Sequence, residues 1–269
     1  MKKILHKAYK FSNSWTGTVI IVLFVIFFVA QAFRIPSGSM KDSLLIGDHL
    51  FAKKFAYGIP MPHLPFLETS IMPWSDSLRL MDGDRPKRGD IVIFRYPGNT
   101  KQHFVKRCVA LPNDELFVLD KDLYLHHNEG DEWIKKNFNE DDLVVFAGKL
   151  WVKNPYMKEH PGIHHDNKII DNGQYPMPIF NFAPIKVNED NYFMMGDNRD
   201  HSNDSRFWGA VPYENIEGTP WFIYFSIDDN WEIRWDRIGK TPTDLEMPAY
   251  LDKAIAERLM TDKDDHGIY

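Results

Sequence analysis

The chain has 269 residues and a formal net charge of −6. Apolar residues make up 43% and charged residues 26%, which is typical of a globular protein and excludes disorder for the bulk of the chain. The negative charge argues against a general nucleic-acid binder, so we expect no nucleic-acid partner. The single cysteine, Cys108, excludes an intrachain disulfide, a Cys-rich zinc site and CxxC redox chemistry.

The N-terminal segment predicts a membrane anchor. Residues 1–14 contain lysines and no acid, and residues 19–30 contain no polar side chain. As a helix, residues 15–33 would measure about 28 Å, close to the ~30 Å hydrocarbon core of a bilayer. The lysines favour a cytoplasmic N-terminus, with the rest of the chain beyond a single span. The alternative is a cleavable signal peptide, because Ala30-Gln31-Ala32 resembles an A-x-A cleavage site.

The remaining chain is predicted to be mainly β. A turn at residues 36–39 precedes a strand from Asp48 to Lys54, and the Pro- and Gly-rich residues 57–88 indicate an irregular loop. The large apolar groups of that loop either touch the membrane or pack on a core of their own. Further runs rich in β-branched and aromatic residues predict strands at Asp90–Tyr96, His103–Ala110, Glu115–Leu119, Asp122–His126, Lys149–Lys153, Asn191–Met195 and Trp221–Ile227. Pro97-Gly98-Asn99 predicts a hairpin between the first two.

These elements predict an N-terminal transmembrane helix followed by an antiparallel β domain with an inserted small β subdomain. The expected divisions are a cytoplasmic N-terminus (1–14), the anchor (15–33), the β domain (34–111 and 188–240), the insertion (112–187) and an acidic tail (241–269). Within the tail, Ala249 to Met260 predicts a short helix. The tail is either a regulatory or partner-binding element or a solvated end.

The histidines do not indicate a metal site. His160, His164 and His165 lie in a polar segment without helical spacing, which favours solvated side chains over ligation. Residues 197–200 resemble part of a calcium loop but lack its sixth-position Gly and twelfth-position Glu. We therefore expect no metal and no cofactor.

A serine and a lysine are the candidates for chemistry. Ser37-Gly38-Ser39-Met40 forms a turn of small residues, which lets backbone N–H groups face a ligand as an oxyanion hole requires. A serine nucleophile needs a base, and a lysine serves only if burial lowers its pKa. Lys106 lies in an apolar strand, on the same face as Phe104 and Cys108. The alternative is a strand-end lysine that extends to solvent.

A polar loop supplies a third candidate segment. Residues 194–209 bring together aspartates, serines, arginines and asparagines between Met-Met and Phe-Trp. Such a loop is either merely solvated or a buried hydrogen-bond network that positions other groups.

Four motifs in order resemble those of the type I signal peptidases, membrane-anchored serine proteases that remove signal peptides from exported preproteins. They are Ile35–Met40 with Leu44–Asp48, Arg88–Phe94, Phe104–Arg107, and Gly196–Asp200 with Ser202, Asp204, Ser205 and Arg206. The resemblance covers roughly residues 15–110 and 190–240, and four ordered motifs are far more specific than any one of them.

The resemblance implies a role for each matching residue. Ser39 corresponds to the nucleophile and Lys106 to the general base. Ser37 corresponds to the hydroxyl that completes the oxyanion hole with the Ser39 N–H. Three more residues correspond to the lysine-orienting serine and its supporting ion pair: Ser202, Asp204 and Arg206. The small pockets that select A-x-A sites would be lined by Phe33, Ile35, Pro36, Leu44, Ile93, Phe104 and Val105.

The family also implies partners and a location. These are the signal peptides of preproteins and the lipid bilayer, with a single-pass monomer in the bacterial inner (cytoplasmic) membrane and its catalytic domain on the periplasmic or outer face. A nucleophile just after the span favours a retained anchor. One departure is Asp42-Ser43-Leu44, where the family commonly has Pro-Thr-Leu, so the turn is expected to be less rigid. Two rival functions are a Ser-Lys protease with another substrate and a non-catalytic anchored binding module.

Overall fold

The computed structural model describes residues 2–64, 69–72 and 78–261. Part of the predicted loop at 57–88, namely residues 65–68 and 73–77, lies outside the described residues, and so does the end of the tail from residue 262. The choice between membrane contact and core packing for that loop therefore stays open.

The N-terminal segment is helical, then extended. It comprises α1 (Lys2–Ser12), α2 (Trp15–Phe24), a π-helical turn (Val25–Val29) and β1 (Ala30–Arg34). The expected helix over 15–33 is therefore wrong at its C-terminal end, because β1 pairs antiparallel with β2 (Asp48–Lys53) from Ala30↔Lys53 to Arg34↔His49. Among the described residues, no helix has the length and apolar character needed to cross a membrane.

The other elements, in chain order, are mostly short strands. They are β3 (Gly58–Pro60), β4 (His63–Leu64), β5 (Thr69–Ser70), β6 (Arg79–Asp82), β7 (Ile91–Tyr96), β8 (Asn99–Ala110), β9 (Glu115–Leu119), β10 (Asp122–His126), α3 (Asp131–Asn137), β11 (Leu143–Phe146), β12 (Lys149–Lys153), α4 (Met177–Phe180), β13 (Phe182–Lys186), β14 (Asn191–Met195), α5 (Ser205–Trp208), β15 (Val211–Pro212), β16 (Ile216–Ser226), α6 (Pro242–Leu245) and α7 (Pro248–Thr261).

The fold is mainly antiparallel β, as the sequence predicted. A seven-stranded sheet has the order β1-β2-β16-β7-β8-β14-β15, and a five-stranded sheet has the order β11-β12-β10-β9-β13. The predicted bounds of β9, β10, β12 and β14 are confirmed, and the β7–β8 hairpin turns at Pro97-Gly98. Two further two-stranded sheets, β3-β6 and β4-β5, complete the described sheets.

The two large sheets share an apolar core. Val109 from β8 and Phe193 from β14 pack with Leu116 and Leu123 from the five-stranded sheet, and all four are fully buried. A second cluster lies under β1, β2 and β7 and includes Leu44. All five strands of the smaller sheet come from residues 115–186, but its core is continuous with that of the larger sheet, so the domain division at 112 and 187 stays a prediction.

The start of the tail is packed, not solvated. Thr241 and Asp244 form a capping box that begins α6, and Leu245 is fully buried in the core under β1 and β2. Leu251 and Ala254, in the predicted and observed helix α7, are also buried. Of the two alternatives for the tail, the solvated end is therefore wrong up to Ala254, because Leu245 belongs to the core cluster of the seven-stranded sheet and both Leu251 and Ala254 are buried.

Candidate active site

Ser39 lies in a tight turn that follows β1. Gly38–Met40 form a single 3-10 turn, and Ser39 is only 7% exposed. The turn is closed where Ile35 N donates to Asp48 O at 2.8 Å. The Asp48 carboxylate in turn accepts from Arg237 Nη2 at 2.6 Å and from Leu45 N at 2.8 Å. Strand pairing and a buried ion pair therefore fix both ends of the turn that carries Ser39.

Lys106 faces this turn from the middle of β8. It is 4% exposed, and its Nζ donates a hydrogen bond to Ser39 Oγ. Burial lowers the pKa of Lys106 from 10.5 to about 8, while the nearby Asp204 charge raises it and Arg206 lowers it. The alternative of a lysine extending to solvent is therefore wrong, because the Ser39 turn covers the ammonium group.

The polar loop after β14 holds the Ser39 turn by its backbone. Asn198 N donates to Ser39 O at 3.2 Å, and Asn198 Nδ2 donates to Gly38 O at 3.1 Å. The close approach requires a glycine at position 196, because a Cβ there would lie 2.5 Å from the Ser39 carbonyl oxygen. Of the two predicted alternatives for this loop, the buried hydrogen-bond network is confirmed.

Asp204 and Arg206 form a buried ion pair in the same loop. Arg206 Nε and Nη2 each donate to the Asp204 carboxylate at 2.8 Å. Asp204 Oδ2 also accepts from Gly196 N at 3.0 Å. Although burial raises the pKa of Asp204, Arg206 lowers it overall, so the carboxylate stays ionised close to Lys106.

Ser202, which the resemblance implies as the lysine-orienting serine, makes no hydrogen bond to Lys106. Its side chain is buried in the same loop, close to the Cα of Gly196, but in the part of the chain that the structure describes its hydroxyl has no hydrogen-bond partner. The expected contact with Lys106 is therefore not made in this structure, where Lys106 Nζ donates to Ser39 instead.

A cavity of about 360 Å³ opens beside Ser39 and Lys106. It is lined by the predicted residues Phe33, Ile35, Pro36, Ser37, Phe104 and Val105. Leu44 and Ile93 do not line it. Both are fully buried in the core behind the cavity, where they pack with Ile35 and support the wall without reaching its surface.

The cavity also has lining residues that the sequence analysis missed: Arg34, Met40, His103 and Asn203. Met40 belongs to the serine motif, and Asn203 lies within the polar loop. Arg34 and His103 extend the two strands that carry the predicted pocket residues. Their position next to predicted pocket residues on the same strands could have indicated them. Only the fold shows that β1 and β8 both line the cavity.

The next residue on β8, Arg107, points away from the cavity into a cluster of acids. Its Nε and Nη2 donate to the Asp197 carboxylate at 2.8 and 2.7 Å, and Nη2 also pairs with Glu246 at 2.5 Å. Although burial lowers the pKa of Arg107, the Asp197 and Glu246 charges raise it overall. Ser43 Oγ donates to the same Asp197, which ties β8 to the Ser39 loop.

The histidine segment packs behind the site, each side chain against a different carboxylate. The Nδ1 atoms of His160, His164 and His165 lie 2.9, 3.3 and 3.0 Å from Glu246, Asp42 and Asp200. They are paired, not solvated. No group of three or more His, Cys, Asp or Glu within the described ranges could hold a metal ion.

Asp42 has a φ of 76°. Proline is fixed near −65°, so this turn necessarily differs from the one expected of the commoner Pro-Thr-Leu sequence.

Comparison with known proteins gives a family. Residues 9–225 match the family model described as signal peptidase, peptidase S26. Signal peptidase I of Helicobacter pylori is 42% identical and aligns over 91% of this chain and 96% of its own. That of Pseudomonas aeruginosa is 33% identical over 82% and 73%. A solved signal peptidase I from Enterococcus faecalis is 24% identical over 51% and 97%, with a TM-score of only 0.32, so the assignment depends on the sequence relatives. The chain belongs to the signal peptidase (peptidase S26) family of serine peptidases.

Proposed function

We propose that this chain cleaves the signal peptides of exported preproteins, with Ser39 as nucleophile and Lys106 as general base. The observation that carries the proposal is the hydrogen bond from Lys106 Nζ to Ser39 Oγ at one end of an apolar cavity. A lysine accepts a proton only when it is neutral. With a pKa of about 8, roughly a tenth of Lys106 is neutral at pH 7, against far less for an exposed lysine.

The reaction would proceed by acyl transfer. Lys106 Nζ takes the proton from Ser39 Oγ, which attacks the substrate carbonyl, and the lysine then gives this proton to the leaving amine as the C–N bond breaks and the acyl-enzyme forms. Neutral again, the lysine deprotonates a water that attacks the acyl-enzyme, and the proton passes to Ser39 Oγ as the signal peptide is released. The Ser39 N–H and the Ser37 hydroxyl would stabilise the oxyanion, in keeping with the place of both residues on the cavity wall.

The polar loop would position these groups. Asp204 and Arg206 form a buried pair near Lys106. Asn198 donates hydrogen bonds to the carbonyl oxygens of Gly38 and Ser39. Ser202 stays in the proposal as a positioning residue. Its hydroxyl is buried beside Gly196 and, among the described residues, is not engaged elsewhere.

An extended peptide would bind between β1 and β8. β1 is an edge strand of its sheet, and β8 pairs with β14 only from Arg107 onward, so both present backbone groups to a third strand. The apolar walls at Phe33, Ile35 and Val105 and the cavity of about 360 Å³ favour small apolar side chains, which supports an A-x-A preference.

We also propose that residues 15–29 attach the chain to the bacterial cytoplasmic membrane, with the β sheets on the outer face. The side chains from Val19 to Val25 are apolar and exposed, and the π-helical turn leads directly into β1 and the Ser39 turn. Alkaline carbonate extraction of membranes from cells that make the full chain tests this. Release into the soluble fraction would contradict it.

The decisive experiment is cleavage of a preprotein with an A-x-A junction in detergent or vesicles. We expect the unaltered protein to cut after the second Ala and both Ser39→Ala and Lys106→Ala to lose about 10³-fold or more in kcat/KM. Lys101→Ala, an exposed lysine on the same strand, is the matched control and should retain activity. An inert unaltered protein would favour the binding module, and an active Lys106→Ala at neutral pH would exclude Lys106 as the base.

A further inference from the structure

Leu245 of the tail lies behind the Ser39 turn. Its side chain is fully buried and belongs to the same apolar cluster as Ile35 and Met40, which flank Ser39 in the chain. Within α6, Leu245 N donates to Thr241 O at 3.2 Å, so the helix and its buried side chain are held together. The tail is therefore part of the core on which the serine side of the candidate site rests.

The next residue, Glu246, reaches the lysine side. Its Oε1 lies 2.5 Å from Arg107 Nη2, and its Oε2 lies 2.9 Å from His160 Nδ1. Although burial raises the pKa of Glu246, the hydrogen bond with His160 and the Arg107 charge lower it overall, so the carboxylate is ionised. An ionised carboxylate can only accept, so His160 Nδ1 donates. Glu246 therefore bridges β8 and the segment that contains His160.

Arg107 and His160 both approach Gly89, two residues before β7. Arg107 Nη1 donates to Gly89 O at 2.7 Å. A Cβ at position 89 would lie only 2.9 Å from His160 Nε2, so the imidazole covers this glycine closely. The three side chains and the glycine thus form a closed cluster on the face of β8 opposite the cavity. Glu246 is the member that the tail supplies, and it lies outside all four motifs of the site.

This cluster supports β8 where the pairing of the strand is incomplete. Lys106 pairs with Val92 of β7 on one side, whereas on the other side β14 pairs with β8 only from Arg107 onward. Successive residues of a strand point to opposite faces, so bonds that fix Arg107 on one face fix the direction of Lys106 on the other. Asp197 supplies two of these bonds from the polar loop. Glu246 adds the bond that connects Arg107 to α6 and the core.

We infer that Glu246 is a positioning residue for the proposed cleavage, because through Arg107 it fixes the direction of Lys106. Leu245, beside it, supports the turn that carries Ser39. The inference depends on the proposed function, because alignment of the lysine with the serine matters only if the two react with a peptide. Glu246 does not line the cavity. Its loss should therefore slow the chemical step and leave substrate binding unchanged.

The test compares kcat, KM and stability across three variants, at a temperature where urea denaturation shows each of them to be folded. Glu246→Ala should lower kcat for an A-x-A peptide about 10-fold with KM unchanged. Glu246→Gln keeps an amide oxygen that can accept from Arg107, so its kcat should lie within about three-fold of that of the unaltered protein. Leu251→Ala is the matched control, because Leu251 is buried in α7 of the same tail. It should lower the urea midpoint more than Glu246→Ala does and leave kcat unchanged.

A merely structural role of Glu246 would give the opposite order, with kcat following the urea midpoint, and that result would overturn the inference. Hydrogen exchange gives a second readout. Glu246→Ala should speed exchange in peptides that cover residues 103–108 about five-fold, whereas Leu251→Ala should act on the tail alone. Unchanged exchange at residues 103–108 would also overturn the inference. An inert unaltered protein would refute the proposed function and this role with it, whereas an active protein whose Glu246→Ala variant keeps its kcat would overturn the inference alone.

Discussion

The two faces of β8 bury neighbouring cations in opposite electrostatic environments. On the cavity face, Lys106 donates to a neutral hydroxyl, and its burial lowers the pKa to about 8. On the opposite face, Arg107 is equally buried but touches two carboxylates, Asp197 and Glu246, and its pKa is raised. Desolvation acts on both side chains, so the difference comes from the partners.

This contrast teaches how one strand can hold both a reactive base and a structural cation. Burial without a directly bonded acid favours the neutral form, whereas burial against acids favours the charged form. Asp204 lies near enough to act on Lys106, but it is engaged by Arg206 and by a backbone N–H. Asp204 therefore acts on Lys106 through its charge, opposed by that of Arg206.

The strongest way to break the contrast is to replace Lys106 with an apolar side chain of similar length. Lys106→Met should lower kcat/KM by about 10³-fold or more, because no group remains to accept the Ser39 proton. Stability should be unchanged or higher, since an uncompensated buried amine is removed. Kinetics and thermal unfolding measured on the same preparation check both parts. A variant that is destabilised by several kcal/mol would show that the lysine contributes structurally.

The same change on the other face should act on stability first. Arg107→Met leaves Asp197 and Glu246 buried without their cation, and we expect a loss of about 3–5 kcal/mol in the free energy of unfolding. Urea denaturation gives the value, and Lys101→Met on the same strand is the control. A loss below about 1 kcal/mol would mean that water or Ser43 compensates the acids.

Gly196 lies where the polar loop approaches the Ser39 turn. In Gly196→Ala the new Cβ would meet the Ser39 carbonyl oxygen at 2.5 Å, so the turn must shift. Because displacement of a reacting group by about an ångström is costly, we expect kcat/KM to fall about 10²-fold with Lys106 intact. Gly130→Ala is the control for a glycine replacement without a steric clash, because open space surrounds the position of its Cβ although its φ of 86° strains the backbone. Equal activities of the two variants would contradict the steric argument.

The smallest expected effect is a shift in pH dependence. Only neutral Lys106 is a base, so kcat/KM should rise as pH increases through about 8. The Asp204 charge raises the pKa of Lys106 and Arg206 lowers it, so Asp204→Asn should move the midpoint to lower pH. A pH–rate profile of each protein checks the direction, with Asp252→Asn, exposed in α7, as the control. A midpoint that moves to higher pH would show that the Asp204 charge does not raise the pKa of Lys106.

Local sequence predicted the elements of this fold better than their contacts. The bounds of β9, β10, β12 and β14 follow from runs of β-branched and aromatic residues ended by turns. The anchor helix was predicted too long because hydropathy does not distinguish helix from strand at residues 30–33. Those residues become a strand only through pairing with β2, a segment some twenty residues away.

The candidate site was predicted in its members but not fully in its geometry. Ser39 and Lys106 are brought together, but Leu44 and Ile93 lie behind the wall and, among the described residues, the Ser202 hydroxyl makes no hydrogen bond. Burial behind a wall and the rotamer of one hydroxyl depend on packing that no motif encodes. The acids that face Arg107 are separated from it by 90 and 139 positions, so nothing near β8 indicated them.

The ion pair between Glu246 and Arg107 has a consequence for the order in which the protein is made. Glu246 follows α6 and is synthesised long after Ser39 and Lys106. The strand that holds Lys106 acquires this partner, and Leu245 fills the core under β1, only after these residues have left the ribosome. Until then, a growing chain carries its serine and its lysine without the finished support behind them.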